Sequence, residues 1–195
     1  MKKPSTSFFE RLKLKLEVKI KKGTQKVVLN KTSIRKCERA LEFSFPNSYH
    51  EFLLSIGPGT FRGYFFIDGP KVEGSNNKGI ASRIKMTRGN SVLADVYEDA
   101  EVIGRMIPFG DTIAGDIFFW DPSDVTNRKQ NEYGVFVLPR DSYRITRVSS
   151  TFLGFFRDVC FGHGFEDLVI GARDPEWKID YEFMPVCAKI SKRPS

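Results

Sequence analysis

Histidine is scarce in this chain: His50 and His163 are the two it has. A catalytic triad needs a base that is oriented by an acid and touches a nucleophile. A metal site needs three or four convergent ligands. Two histidines far apart, with no Cys-x-x-Cys, argue against both, so no catalytic residue, metal or cofactor is expected. Cysteine is equally thin. Cys37, Cys160 and Cys187 are odd in number and share no close spacing, which reads as reduced thiols in a cytoplasmic protein. No apolar run approaches the ~18 residues that cross a bilayer, and the N-terminus lacks the apolar segment of a secretory signal. A phosphate loop is missing too. Gly57-Pro58-Gly59 has no lysine and no helix after it, and Gly110 and Gly115 have the glycine spacing alone. Repeats and low-complexity tracts are absent.

Phenylalanine, by contrast, is abundant. The 195 residues hold 18 of them, and 41% of the chain is hydrophobic, enough for one domain with appendages. Charge is unevenly placed. Residues 1–39 carry 13 Lys+Arg against 3 Asp+Glu, a balance of +10. Residues 40–188 carry 15 against 21, a balance of −6. The basic net charge thus belongs to an N-terminal arm and the body is acidic.

The arm alternates strictly, with Leu12, Leu14, Leu16, Val18 and Ile20 on one side, which predicts a half-buried strand over 11–21. Lys26–Leu29 is expected to pair back as a hairpin. Thr32 or Ser33 caps a helix to Leu41 with Ile34, Cys37 and Leu41 on one stripe, and Asn47 or Ser48 caps the next. The run 61–67 reads as a strand, 68–78 as a surface loop, and 82–97 as weakly patterned helix. Residues 121–132 read as a polar loop, 133–138 and 143–148 as strands. Ser149 or Ser150 caps a helix through Cys160.

The stretch 107–121 is the densest in signals. Gly110-Asp111 and Gly115-Asp116 flank a tight turn, since glycine reaches positive φ and aspartate bonds its own backbone. The turn feeds Ile117–Trp120, a buried strand. Pro108-Phe109-Gly110-Asp111, a spacer, Gly115-Asp116 and the aromatic strand closely resemble the central block of the SUKH superfamily. That family includes the yeast cell-wall-assembly regulator Smi-one/Knr-four and many bacterial toxin-immunity proteins. A second block, with Phe45, Pro46, Tyr49, Phe52 and Leu53, is similar to the family's opening helices. A weaker third block spans Gly134–Leu138 and Ser150–Phe156. The resemblance covers residues 32 to about 160. It implies an α+β fold, a single domain with a mainly antiparallel sheet and helices packed on one side. On that reading residues 1–31 are a basic strand or hairpin extension, 32–160 the SUKH-like domain and 161–195 a C-terminal extension with a basic tail. Phe45, Pro46, Tyr49, Phe52, Leu53, Pro108, Gly110 and Gly115 carry the motif.

Cys160 and His163, three residues apart, read as a packed thiol beside a histidine in a glycine-flanked turn. Asp111, Asp116 and Asp121 invite comparison with the carboxylate pair of glycoside hydrolysis or with a cation site; satisfying turn amides explains them more simply. With Trp120 and Glu132 they are expected to form an acidic face that meets a basic partner by charge complementarity. The lysines of the arm suit an edge strand protected from aggregation. The alternatives are contacts to nucleic-acid phosphates through Lys13, Lys15, Lys19 and Lys21 and attraction to an anionic membrane surface. The resemblance implies a non-enzymatic immunity protein that binds and blocks a toxin domain, of nuclease or deaminase type. A regulatory scaffold of the cell-wall-regulator kind and a nucleic-acid-associated protein are the rival readings.

Overall fold

The first element described is a helix that overlaps the start of the alternating run read as strand. In the computed structural model, which describes residues 7–75, 77–90, 97, 100–142, 144–164 and 181–189, Ser7 accepts the Glu10 N–H at 3.2 Å and caps α1 (Phe8–Lys13). Helical spacing buries Phe9 and Leu12 together. The Phe9 ring reaches Phe156 at 5.6 Å and Phe52 at 5.7 Å. That burial outweighs the alternation: Leu14 is 85% exposed, and strand is confined to β1 (Glu17–Val18) and β2 (Thr24–Lys26).

Asn30 caps α2 (Lys31–Leu41) through a reciprocal box, accepting the Ser33 N–H at 2.9 Å while Ser33 Oγ accepts the Asn30 N–H. The cap lies ahead of the Thr32 or Ser33 expected. Ile34, Cys37 and Leu41 do face the core. α3 (Asn47–Ser55) follows directly on Pro46, which takes the capping position expected of Asn47 or Ser48. The run 61–67 is not one strand. β3 (Gly59–Phe61) reverses at Arg62 and Gly63, both at positive φ, into β4 (Phe65–Ile67). Then come α4 (Ile80–Arg88), α5 (Ala100–Arg105) and β5 (Ile107–Thr112). Most of the helical expectation between Arg88 and Tyr97 lies outside the described residues. β6 (Ile117–Asn127) runs on through the segment read as a loop, closing in a 3₁₀ turn before β7 (Glu132–Leu138). β8 (Thr146–Ser149) starts later than expected, with Tyr143 outside the described residues. Thr151 caps α6 (Phe152–Gly154), which widens into a π-helical turn over Phe155–Cys160. β9 (Glu182–Pro185) and β10 (Cys187–Lys189) follow.

Among the described residues, eight strands form one sheet in the order β1-β9-β3-β4-β5-β6-β7-β8. Its β1·β9 pair is parallel and every other pair is antiparallel. β2 pairs antiparallel with β10. The expected N-terminal hairpin is therefore replaced by two pairings to the C-terminal segment, so the basic arm is fastened to the body. The fold is a single-domain α+β with a mainly antiparallel sheet, as the sequence implies.

Successive strand residues point to opposite faces. Phe118 and Trp120 enter the main core with Tyr49, Phe52, Phe109 and Phe152. Phe119 enters a second cluster with Ile103 and Met106 beside α5. On the face opposite the main core, Met184, Thr60, Phe66, Asp111 and Ile117 stand side by side across β9, β3, β4, β5 and β6.

Candidate functional site

The motif residues are architecture. Phe45, Tyr49, Phe52 and Leu53 are at most 1% exposed, and Pro46 and Pro108 are buried. Tyr49 donates its hydroxyl to the Asp68 carbonyl at 2.5 Å, and its ring meets Trp120 edge-on at 4.9 Å. Phe109 stacks on Trp120 with centroids 4.1 Å apart. A Cβ on Gly110 would lie 2.5 Å from the Phe66 carbonyl oxygen, so only glycine lets β4 and β5 close there. Gly115 takes φ 99° in the turn between Thr112 and Asp116.

The five residues expected to form an acidic face are not assembled into one. Trp120 is fully buried. Glu132 is 2% exposed: its carboxylate accepts the Ser48 N–H at 2.8 Å, the Ser48 hydroxyl at 2.9 Å and the Phe152 N–H at 3.4 Å. Asp116 accepts the Thr112 hydroxyl at 2.6 Å and the Arg140 N–H at 3.1 Å. Asp121 takes a bidentate pair from Arg105 at 2.9 Å each, plus the N–H and hydroxyl of Ser123. Burial alone would raise the Asp121 carboxyl, but these bonds hold it below its ordinary value. Their polarity looks outward in sequence and is spent inward in the fold. Cys160 is likewise a packed thiol, fully buried, with its pKa pushed up by desolvation.

Asp111, one of the five, lines a cavity. On the open face of the sheet a space of about 830 Å³ has Thr60, Phe66, Asp111 and Met184 as its floor. Lys19, Ile20, Lys21, Pro185 and Val186 also line it. At one end Arg83, from α4, bridges the carboxylates of Asp68 and Asp111, the latter at 2.5 Å. Burial lowers the Arg83 pKa, yet the two acids carry it above its ordinary value; burial raises Asp68 despite the arginine. Asp111 Oδ2 is taken by Arg83, while Oδ1 has no hydrogen-bond partner among the described residues. Two carboxylates share one guanidinium, which leaves one negative charge over. Asp68 and Arg83 escape the sequence reading because nothing local ties positions 68, 83 and 111 together.

Residues 31–156 match the SUKH_6 family model, described as SMI1-KNR4 cell-wall. The chain belongs to this SMI1-KNR4 family, within the SUKH superfamily. No curated protein and no solved structure matches the chain. The SMI1-KNR4 match takes in α2 to β8 and the start of the last helix, while β1, β2, β9 and β10 lie outside it. The cavity is thus joint work: Thr60, Phe66, Asp68, Arg83 and Asp111 come from the SMI1-KNR4 region, and Lys19 to Lys21 and Met184 to Cys187 from the flanks. SUKH domains act in general through protein partners, as immunity or regulatory modules. Among the described residues no helix is long and apolar enough to cross a membrane.

Proposed function

We propose that this SMI1-KNR4 family chain is a non-enzymatic binding protein that acts as an immunity protein in the cytoplasm, capturing and blocking a toxin domain of nuclease or deaminase type. The family match over residues 31–156 carries the reading. The spending of Asp116, Asp121 and Glu132 on internal hydrogen bonds supports it, because general acid–base chemistry needs a carboxylate free to meet substrate. Blocking would be steric, with the acidic balance of residues 40–188 raising the on-rate for a basic partner. The test is affinity capture with the intact chain from nuclease-treated lysate of its source. A DNA- and RNA-cleavage and deamination assay of the captured protein follows, with and without added chain. Stoichiometric suppression of the captured activity is the expected result. A captured protein whose activity is untouched points to the regulatory-scaffold reading. Capture that vanishes with nuclease points to nucleic acid held by the exposed Lys13, Lys15, Lys19 and Lys21.

A further inference from the structure

α2 turns Ile34, Cys37 and Leu41 to the core and a row of cations to solvent. Lys31, Arg35 and Arg39 follow one another at four-residue steps, about 6 Å of rise each, and Lys36 flanks them. All four are exposed, and none makes an ion pair among the described residues. The helix's own acid, Glu38, is spent inward: its Oε1 accepts the Phe45 N–H at 2.7 Å and meets His50 Nε2 at 2.8 Å. Glu42, at the C-cap, is the one exposed acid of the helix and its caps. Helix stability does not account for this placement. Like charges at four-residue spacing repel, and the first turn, whose free N–H groups favour acids, holds Lys31 and no acid. A second element adds charge at the other end. Asn131 Nδ2 donates to the Ser44 and Phe45 carbonyls at 3.0 and 2.9 Å. That ties the 3₁₀ turn Arg128–Gln130 beside the C-terminal end of α2, with Arg128 and Lys129 exposed.

We propose that this face lies along the phosphate backbone of a double-stranded nucleic acid, without reading its sequence. The exposed positions of α2 are Lys31, Thr32, Arg35, Lys36, Arg39 and Ala40, so the face has charge and neither a ring nor a large apolar side chain. A protein interface centres on a buried aromatic or arginine anchor seated in a well-packed pocket. A single strand needs rings for its bases to stack on. A helix lying in a membrane surface needs an apolar face to insert. A duplex asks for cations alone and presents a charge for every ~1.7 Å of its axis, dense enough to meet each of the four. This binding goes beyond the immunity reading and does not depend on it, and it places the nucleic-acid contact on α2 rather than on the lysines of the preceding segment.

The experiment titrates the intact chain into a fluorescent, mixed-sequence DNA duplex, the matching RNA duplex and one of the DNA strands alone, following anisotropy between about 50 and 200 mM salt. A duplex is expected to bind more tightly than the single strand, with log K falling steeply as log salt rises. Combining Lys31→Gln, Arg35→Gln, Lys36→Gln and Arg39→Gln, with a residue that suits a helix, should make that slope shallower by about 3–4, at ~0.9 per phosphate, and weaken binding at least about tenfold. If the combined variant loses helical circular dichroism, Arg35→Gln alone replaces it, with a slope shallower by about 1. A second set, Lys13→Gln, Lys15→Gln, Lys19→Gln and Lys21→Gln, removes equal charge elsewhere and should cost less than half as much in slope. An unchanged slope in the α2 variant, or an equal loss in the second set, overturns the proposal. So does binding to the single strand or to phosphatidylserine vesicles as tight as to either duplex. Protein capture from nuclease-treated lysate is expected to survive the α2 substitutions; its loss with duplex binding intact would make the face a protein interface instead. If the parent chain captures no protein, the immunity reading falls and the duplex titration still decides this one.

Discussion

Glu132 joins two helix beginnings: Ser48, in the first turn of α3, and Phe152, which opens α6, both donate to its buried carboxylate. A helix start has unpaired N–H groups and a partial positive charge, so an acid there is favourable. Glu132→Ala leaves buried donors without acceptors, and we expect a loss of about 2–4 kcal/mol. It should appear as a lower urea midpoint with an unchanged slope, and a loss under about 1 kcal/mol would show that water replaces the carboxylate. Asp121 behaves differently with pH. Its folded pKa lies below the ordinary value, so its contribution is complete above the unfolded value of about 4 and disappears as pH falls through the folded one. Asp121→Asn should therefore flatten the drop in melting temperature below about pH 4, and an unchanged acid limb would contradict it. The type and position of these acids were legible in the sequence, but the direction of their side chains was not. Trp120 next to Asp121 reads equally as a binding rim or as a core strand leaving for the surface, and rings from elsewhere in the chain, Tyr49, Phe43 and Phe109 among them, cover its indole.

Among elements, those whose signals are local emerged from the sequence: α2 with its apolar stripe, α3 after Pro46, the Ile117–Trp120 strand, and β7. Elements whose identity depends on a distant partner did not. The alternation over 11–21 has the right period for a strand, but β1 is only two residues long because β9 offers it two register positions. The start of the run, 11–13, belongs to α1, whose Phe9 has aromatic neighbours from α3 and the last helix. The polar segment 121–127 hides a strand for the opposite reason. It has no apolar face to signal it, and β7 holds it through a ladder interrupted by register shifts. The close approach of β9 to β3 hinges on Gly59, where a Cβ would lie 2.4 Å from the Phe183 ring and 2.5 Å from the Met184 carbonyl. Gly59→Val is expected to expel β9 and with it β1. The Lys19 amide, which donates to the Phe183 carbonyl at 2.8 Å, should then exchange with solvent at least about tenfold faster while amides in β6 and β7 keep their protection. Retained protection at Lys19 would refute this account.

At the scale of the whole molecule, the split of charge changes meaning once the pairings are known. Within the basic arm, β1 and β2 are each bound to the segment 182–189, so that stretch does not hang free. Lys26 sits 5.5 Å over the Phe183 ring, and burial, with Lys13 nearby, lowers its pKa. These pairings hold the basic stretch around β1 and β2 against the body. This also explains why the fold class was legible and the cavity was not. A run of helices and strands declares α+β by its order, whereas a space walled by residues 19–21 and 184–187 exists only after both ends of the chain meet.

The same pairing sets a timetable for synthesis. Glu17 and Val18 leave the ribosome some 165 residues ahead of their partners Glu182 and Phe183; at about 5–20 residues per second that is a wait of roughly 8–33 s. Through that interval β3 has no neighbour on its outer side, and the lysine-rich segment around β1 remains open to proteases and chaperones. Nascent chains stalled before residue 182 should be clipped by trypsin at Lys19, Lys21 and Lys22, and released full-length chains should resist; equal cleavage of both would show that β1 is held by something other than β9.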